Sequence, residues 1–282
     1  MKKNTIFMCL SLGLAGLLSS CSSFDNPYEP KEISGEKGLL TLNLASGVEF
    51  VASTRAVDES TYQDFDNYQV EITDKKGNSK FSGSFATLKT RLPLELELGS
   101  YDITASYGTE EAASRETFLA TGTSTVTIQS SNQSSNPASA NVNCTPTAGK
   151  VIVTFDSSIT TYCDNYSVDF TTEQLSNAKK VAYWGKADTE PWYFAVKEEG
   201  ESVSYTIHLT TKAEYAASLD GEKVTEATAT GSFKLERNKT KKLTVKGNYT
   251  PSTEGGITIS IDIDEGTTDK PITIEVPVTW TK

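Results

Sequence analysis

Histidine is nearly absent from this chain of 282 residues, which has only one. That excludes a multi-histidine metal site and leaves His208 as the sole imidazole for any acid–base or nucleophilic mechanism. Positive charge is also scarce: 26 Lys+Arg against 37 Asp+Glu gives a net charge of −11. Nucleic-acid surfaces need Lys and Arg to displace counterions, so no nucleic-acid partner is expected. Apolar residues make up 37%, below the roughly 45–50% usual for globular chains when Gly is included. The charged fraction is an ordinary 22%, so the polar excess lies in Ser, Thr and Asn. A chain rich in Thr and Tyr suits half-buried strands better than helices. Long hydrophobic runs are missing except for Ile6 to Leu18, and cysteines number four.

The one apolar run follows Lys2 and Lys3 and ends in Leu18-Ser19-Ser20-Cys21. At 13 residues it has the length of a signal-peptide core and falls short of the ~20 that span a bilayer. Basic residues, apolar run and terminal cysteine in this order resemble bacterial lipoprotein signals, which are cut before a cysteine that is then diacylated. The resemblance makes Cys21 the lipidation site and a bilayer the first partner, since acyl chains contribute ~0.8 kcal/mol per buried CH₂. The expected location is the outer membrane, on its surface or periplasmic face. The polar segment after Cys21, with Pro27 and Pro30, reads as a tether.

From Gly38 onward, period-two alternation dominates. Leu40, Leu42 and Leu44 alternate with Thr41 and Asn43, and Val203, Tyr205, Ile207 and Leu209 repeat the pattern in the second half. Such runs, broken by Gly, Asn and Asp, mark antiparallel strands with one buried face. The best helical candidate, Lys212 to Leu219, is short. The expected fold class is therefore all-β.

An internal repeat divides the chain. Asp66-Asn67-Tyr68-Gln69-Val70-Glu71 recurs as Asp164-Asn165-Tyr166-Ser167-Val168-Asp169. Ala120-Thr121-Gly122 recurs as Ala229-Thr230-Gly231, and Asn143-Cys144-Thr145-Pro146 as Asn248-Tyr249-Thr250-Pro251. The expected organisation is an address (1–20), a lipidated tether (21–37), two β-sandwich copies (38–147 and 148–251) and a C-terminal β-hairpin (252–282). By this alignment the Ser/Asn-rich stretch from Gln129 is a hairpin loop within the first copy, not a linker. The first copy carries extra residues between its opening strand and Asp66, and Arg55 lies there. The second is longer between its Asn-Tyr and Ala-Thr-Gly motifs, the region of Trp184 and Trp192. Extra loop on a repeated scaffold is a usual place for function.

Chemistry-bearing candidates are few. His208 falls on the polar face of its strand with no nucleophile motif nearby. Asp262, Asp264, Glu265 and Asp269 surround a turn glycine without the twelve-residue calcium-loop spacing, which reads as turn chemistry. No catalytic residue, metal or cofactor is implied, and the chain reads as non-enzymatic. An export context permits a disulfide between Cys144 and Cys163, but they stand where the other copy has an aromatic and belong to different copies, which favours two buried thiols over a bridge. Trp184, Trp192 and Tyr193 admit two readings: core packing, or a platform for stacking on sugar rings. In the last strand Ile272, Ile274, Val276, Val278 and Trp280 alternate on one face and need burial against their own domain or another subunit. Pro277 on the other face cannot donate to a ladder and marks an edge.

Taken together, these features resemble the fimbrillin-like lipoproteins of Bacteroidota, which combine a lipoprotein signal, two transthyretin-like sandwiches and a cleavage loop after the first strand. Thr54-Arg55-Ala56, after Leu40–Leu44, carries the likeness. The Asn-Tyr-x-Val-[acid] opening and the Leu-rich strand before Gly99-Ser100-Tyr101-Asp102 also resemble an uncharacterised domain family of the same bacteria. The resemblance implies a fimbrial or adhesin-type structural subunit, cut between Arg55 and Ala56. Leu39–Val51, with Leu40, Leu42 and Leu44, would be the removable strand, and Ile272–Trp280 the donor that fills the groove of the next copy. Its partners would be other fimbrial subunits and a host or microbial surface ligand. Two alternatives remain: an outer-membrane-anchored glycan-binding lipoprotein, and an uncleaved anchor or tip subunit.

Overall fold

The computed structural model describes residues 36–50, 57–249, 257–264, 272–276 and 278–281. Cys21, Arg55 and Ala56 lie outside the described residues. Strands dominate, as alternation predicts, and no helix is long and apolar enough to cross a membrane among the described residues.

The first half contains β1 (Lys37–Ser46), β2 (Gln69–Asp74), β3 (Ser79–Ser84), β4 (Leu94–Glu97), β5 (Gly99–Tyr107), β6 (Ala113–Ser114), β7 (Ala120–Ile128) and β8 (Ala138–Pro146). The second contains β9 (Ala148–Phe155), β10 (Cys163–Thr171), β11 (Ala182–Gly185), β12 (Trp192–Ala195) and β13 (Glu201–Thr211). After these come the small hairpin β14 (Ala217–Leu219) and β15 (Glu222–Val224), then β16 (Glu226–Leu235) and β17 (Thr240–Tyr249). The chain closes with β18 (Ile257–Asp264), β19 (Ile272–Val276) and β20 (Thr279–Trp280). The stretch Lys212 to Leu219, the best helical candidate, forms only a short turn, Ala213–Tyr215, before β14.

The sheets repeat as the sequence does. In the first half the order β3-β2-β5-β7 continues into β8-β1-β4. In the second, β11-β10-β13-β16 and β17-β9-β12 take the same places. In both halves the opening strand runs parallel to the last strand of the repeat: β1 beside β8 and β9 beside β17. Parallel pairing in a largely antiparallel fold requires the chain to cross between layers. Each half buries its own cluster. One runs from Leu40 to Ala148 and includes Tyr193, and the other runs from Val151 to Ile263 around Trp184 and Phe170. Alternate residues of β8 are buried along its whole length, and β13 shows the same pattern.

The Ala-Thr-Gly motif has a steric reason in each half. A Cβ on Gly122 would lie 2.3 Å from the Asn143 carbonyl oxygen, so glycine lets β7 and β8 approach where the sheet turns its corner. Gly231 faces Tyr205 across the ladder, and a Cβ there would sit 2.2 Å from the Tyr205 hydroxyl. The ring of a strand tyrosine covers the bare backbone of its glycine partner.

Three features go beyond the repeat. β6 leaves the first half and pairs with β12 of the second. β18 pairs with β17 along Lys242–Asp264 partners and β19 pairs with β18, so the C-terminal hairpin extends the second half's sheet. β20 crosses to the other layer and pairs with β16. The stretch after Ile128 is a hairpin loop between β7 and β8, as the repeat alignment predicts.

Candidate functional site

Two places combine unusual chemistry with long-range contact: the strand β1 with the segment that follows it, and the junction of the two halves.

β1 lies between β8 and the short edge strand β4. It pairs with β8 from Leu40↔Ala138 to Ser46↔Cys144 and with β4 from Lys37↔Glu97 to Leu40↔Leu94. Leu39, Leu40 and Leu42 are buried and Leu44 packs against the same core. Full burial of such side chains contributes about 1.5–3 kcal/mol each. On the other side of the ladder Ala138, Ala140, Val142 and Cys144 of β8 point into that core. β4 presents Glu95 and Glu97 at the outer edge, paired with Lys37 and Lys80, charges that discourage edge-to-edge addition.

Beyond β1 the chain reaches across to the second half. Asn238 accepts from the Glu49 amide at 2.9 Å and donates to the Gly47 carbonyl at 2.5 Å. Lys239 pairs with Glu49 at 2.5 Å. Asn238 holds a positive φ of 58°, a conformation Asn tolerates better than most residues. Phe50 then enters an aromatic cluster, 5.2 Å from the Phe118 ring and 5.5 Å from Tyr193.

At the base of that cluster Lys150 is completely buried. Its ammonium lies 2.6 Å from Glu59 Oε1 and faces the rings of Phe50 and Tyr193 at 5.9 and 5.8 Å. The Tyr193 hydroxyl donates to the same Glu59 oxygen at 2.6 Å. Burial, reinforced by the Glu59 carboxylate, pushes the Tyr193 phenol above its usual range. A lysine in mid-strand flanked by Gly149 and Val151 carries no sequence mark of burial. Its partner 91 residues away helps to make it tolerable, because a buried charge requires pairing.

The tryptophans resolve differently from a sugar platform. Trp184 is wholly buried and Tyr193 is 1% exposed, so neither presents a ring face to solvent. Trp192 is part-buried. They stand on β11 and β12, the counterparts of β3 and β4, and not in the extra loop suggested by the repeat offsets. Their role is visible in Arg115, which the β6 arm carries over from the first half. Its guanidinium lies 5.3 Å from the Trp184 ring and 4.7 Å from Trp192. Its Nη2 donates to the Tyr183 carbonyl and to Asp188 Oδ2, both at 2.9 Å. Trp192 Nε1 donates to the same carbonyl at 3.0 Å. Burial pushes the Asp188 carboxyl up, but the bonds from Arg115 and the Gly185 amide outweigh it and hold it below its ordinary value. Only Tyr183, half exposed, offers an open aromatic face here.

The remaining candidates are placed as follows. His208 is half exposed, with Nε2 3.1 Å from Asp169 Oδ2. Cys144 and Cys163 are free and buried, in different clusters, and burial pushes both thiols up to about 11. Among the described residues no three acidic, histidine or cysteine side chains converge to hold a metal ion. Asp262 is engaged by Lys246 and Thr273. In the terminal strand Ile272, Ile274 and Val276 pair through their backbones with Ile263, Ile261 and Ile259 of the same chain. Val278 and Trp280 pack against the second cluster. Leu40, Leu42 and Leu44 occupy the first.

Several solved structures are similar to this chain at low identity. A candidate cell adhesion protein from Bacteroides eggerthii is 14% identical over 89% of this chain and 97% of its own, with a TM-score of 0.44. A fimbrial assembly protein from Parabacteroides distasonis is 13% identical over 87% and 98%, with a TM-score of 0.40. A candidate polysaccharide-binding protein from Bacteroides thetaiotaomicron is 12% identical over 81% and 98%, also at 0.40. No curated protein sequence matches the chain. Residues 36–278 match the model of DUF4493, a domain of unknown function, and the chain belongs to that family.

Proposed function

We propose that this chain is a cell-surface fimbrial or adhesin-type structural subunit, exported as a lipoprotein through Cys21 and assembled by strand exchange after cleavage between Arg55 and Ala56. The observation that carries the reading is the position of β1. It is an inner strand with buried Leu39, Leu40 and Leu42, it pairs along seven residues of β8, and its chain continues toward Arg55. Cutting there frees a segment whose departure strips β4 of its partner and bares the backbone and apolar pockets of β8. A strand supplied by another copy satisfies both needs, because ladder hydrogen bonds give affinity and alternate side chains give register. The contact is head-to-tail and does not close, so it propagates as a fibre.

The donor in this reading is Ile272–Trp280, whose alternate residues are apolar. In the single chain β19 and β20 are held by their own sheets. Among the described residues, the last of these holds consists of Ala227↔Trp280, Thr228↔Thr279 and the Thr281 amide on the Glu226 carbonyl. Two residue pairs hold β20, whereas β19 keeps five on β18, so exchange of the whole segment must release both.

The test is the mature N-terminus and the oligomeric state of surface-extracted protein. Cleavage-driven assembly expects Ala56 at the N-terminus and a ladder of polymers, with Arg55→Ala arrested as a lipidated monomer. Polymers of Arg55→Ala, or lipidated Cys21 peptides in mature fibres, would instead identify an uncleaved subunit or an anchor.

A further inference from the structure

A cavity of about 530 Å³ opens where the loop after β1, the β5–β7 arm and the β11–β12 loop meet. Its wall includes Asp58, Thr61, Tyr107, Glu116, Thr117 and Glu190. Arg115 also borders it, but its charge is already matched by Asp188. Asp58 is occupied in part, accepting from the Ser60 amide and hydroxyl. Among the described residues, the carboxylates of Glu116 and Glu190 have neither an ion pair nor a hydrogen bond. The wall thus carries three carboxylates and a neutralised guanidinium, on loops from both halves of the chain.

We propose that this cavity is a binding site for a hydroxylated organic cation of monosaccharide size, the simplest member of the class being a hexosamine. Three properties select that chemistry. The excess of carboxylates favours an ammonium group and disfavours an acidic sugar, because like charges on ligand and wall repel. The carboxylates do not converge as metal ligands, so an extended cation fits and a bare ion does not. Thr61, Thr117 and Glu116 offer hydrogen-bonding groups for several ring hydroxyls, and Tyr107, packed 4.9 Å from Tyr62, supplies an aromatic wall. A lysine side chain from a peptide would bring the ammonium too, but it lacks the ring hydroxyls that Thr61 and Thr117 on the wall are placed to bond. The volume lies within the ~300–1,000 Å³ of small-molecule sites.

The site does not depend on strand exchange, and the experiment separates the two. Calorimetric titration of the intact chain, wild type and Arg55→Ala alike, uses glucosamine, glucose, glucuronate and Nα-acetyllysine amide as probes. The expected result is saturable one-to-one binding of glucosamine, at least about tenfold tighter than glucose, with glucuronate weaker still. A charge-assisted hydrogen bond is worth about tenfold or more, so E116Q/E190Q should weaken glucosamine by at least that factor and glucose by much less, since the amides still bond hydroxyls. Both residues are exposed, so the double variant is expected to fold, and its urea midpoint checks this. Four results would overturn the proposal: no saturation by glucosamine at millimolar concentration, glucose bound equally well, acetyllysine amide bound as tightly as glucosamine, or an unchanged double variant.

Discussion

Replacing Glu59 by alanine tests the account of the junction most directly. The carboxylate is the partner of an ammonium with no exposed surface, at 2.6 Å, and it accepts the Tyr193 hydroxyl at 2.6 Å. Removing one member of a buried pair costs about 3–5 kcal/mol, most of it the desolvation of the charge left behind. At ~2–4 °C per kcal/mol for a domain of this size, the melting temperature falls by ten degrees or so. Lys150→Met is milder, because Glu59 keeps the Tyr193 donor and sits nearer solvent, with 16% of its side chain exposed. The double variant Glu59→Ala/Lys150→Met should be more stable than the sum of the two single losses, since it buries no stranded ammonium. Urea unfolding of the four proteins gives the coupling as a double-mutant cycle. A loss below about 1 kcal/mol for Glu59→Ala, or a coupling near zero, would mean that the pair behaves as a surface ion pair and that the junction is not built on it.

Other consequences follow from the same geometry. Arg115→Ala removes two hydrogen bonds and two ring contacts from a partly exposed site and should cost about 2 kcal/mol, with a change in tryptophan emission because Trp184 and Trp192 lose their common neighbour. The Asp188 pKa is depressed in the folded chain, so its contribution is present above about pH 4 and fades as the pH falls through the lower folded value. The Arg115→Ala penalty, measured by urea titration, should shrink in acid, and a penalty that grows there would refute the ion-pair account. Gly122→Ala forces a Cβ against the Asn143 carbonyl and should destabilise by about 1–3 kcal/mol. A neutral effect would place the sheet corner elsewhere. Cys144 and Cys163 should resist iodoacetamide at pH 8 in the native chain and both react after denaturation without reductant, as mass spectrometry would register. Rapid native alkylation, or no reaction after unfolding, would contradict two buried free thiols.

Much of the scaffold is legible in the residues themselves, because a strand's buried face repeats every second position and leaves a local trace. Leu40 and Leu42, Val203 to Leu209, and Ile261 and Ile263 all state their burial this way. The repeat carries further, since equivalent motifs must occupy equivalent strands, and it identified the Gln129 hairpin that composition alone suggests is a linker. The junction has no such trace. Trp184 and Trp192 sit at offsets that suggest an added loop, yet they occupy the counterparts of β3 and β4. The extra length of the second half is spread over several connections, which offsets between distant motifs cannot apportion.

What the sequence by itself determined is an all-β chain of two related halves, short of histidine and positive charge, with two thiols in place of aromatics. Tertiary structure alone decided that Arg115 lies against two tryptophans, that Lys150 can be buried beside Glu59, and that Glu116 and Glu190 border one cavity. The physical reason is range. Alternation is set by the pleat, residue by residue, whereas these groups are tens of residues apart and meet only because the β6 arm and the loop after β1 cross from one half to the other.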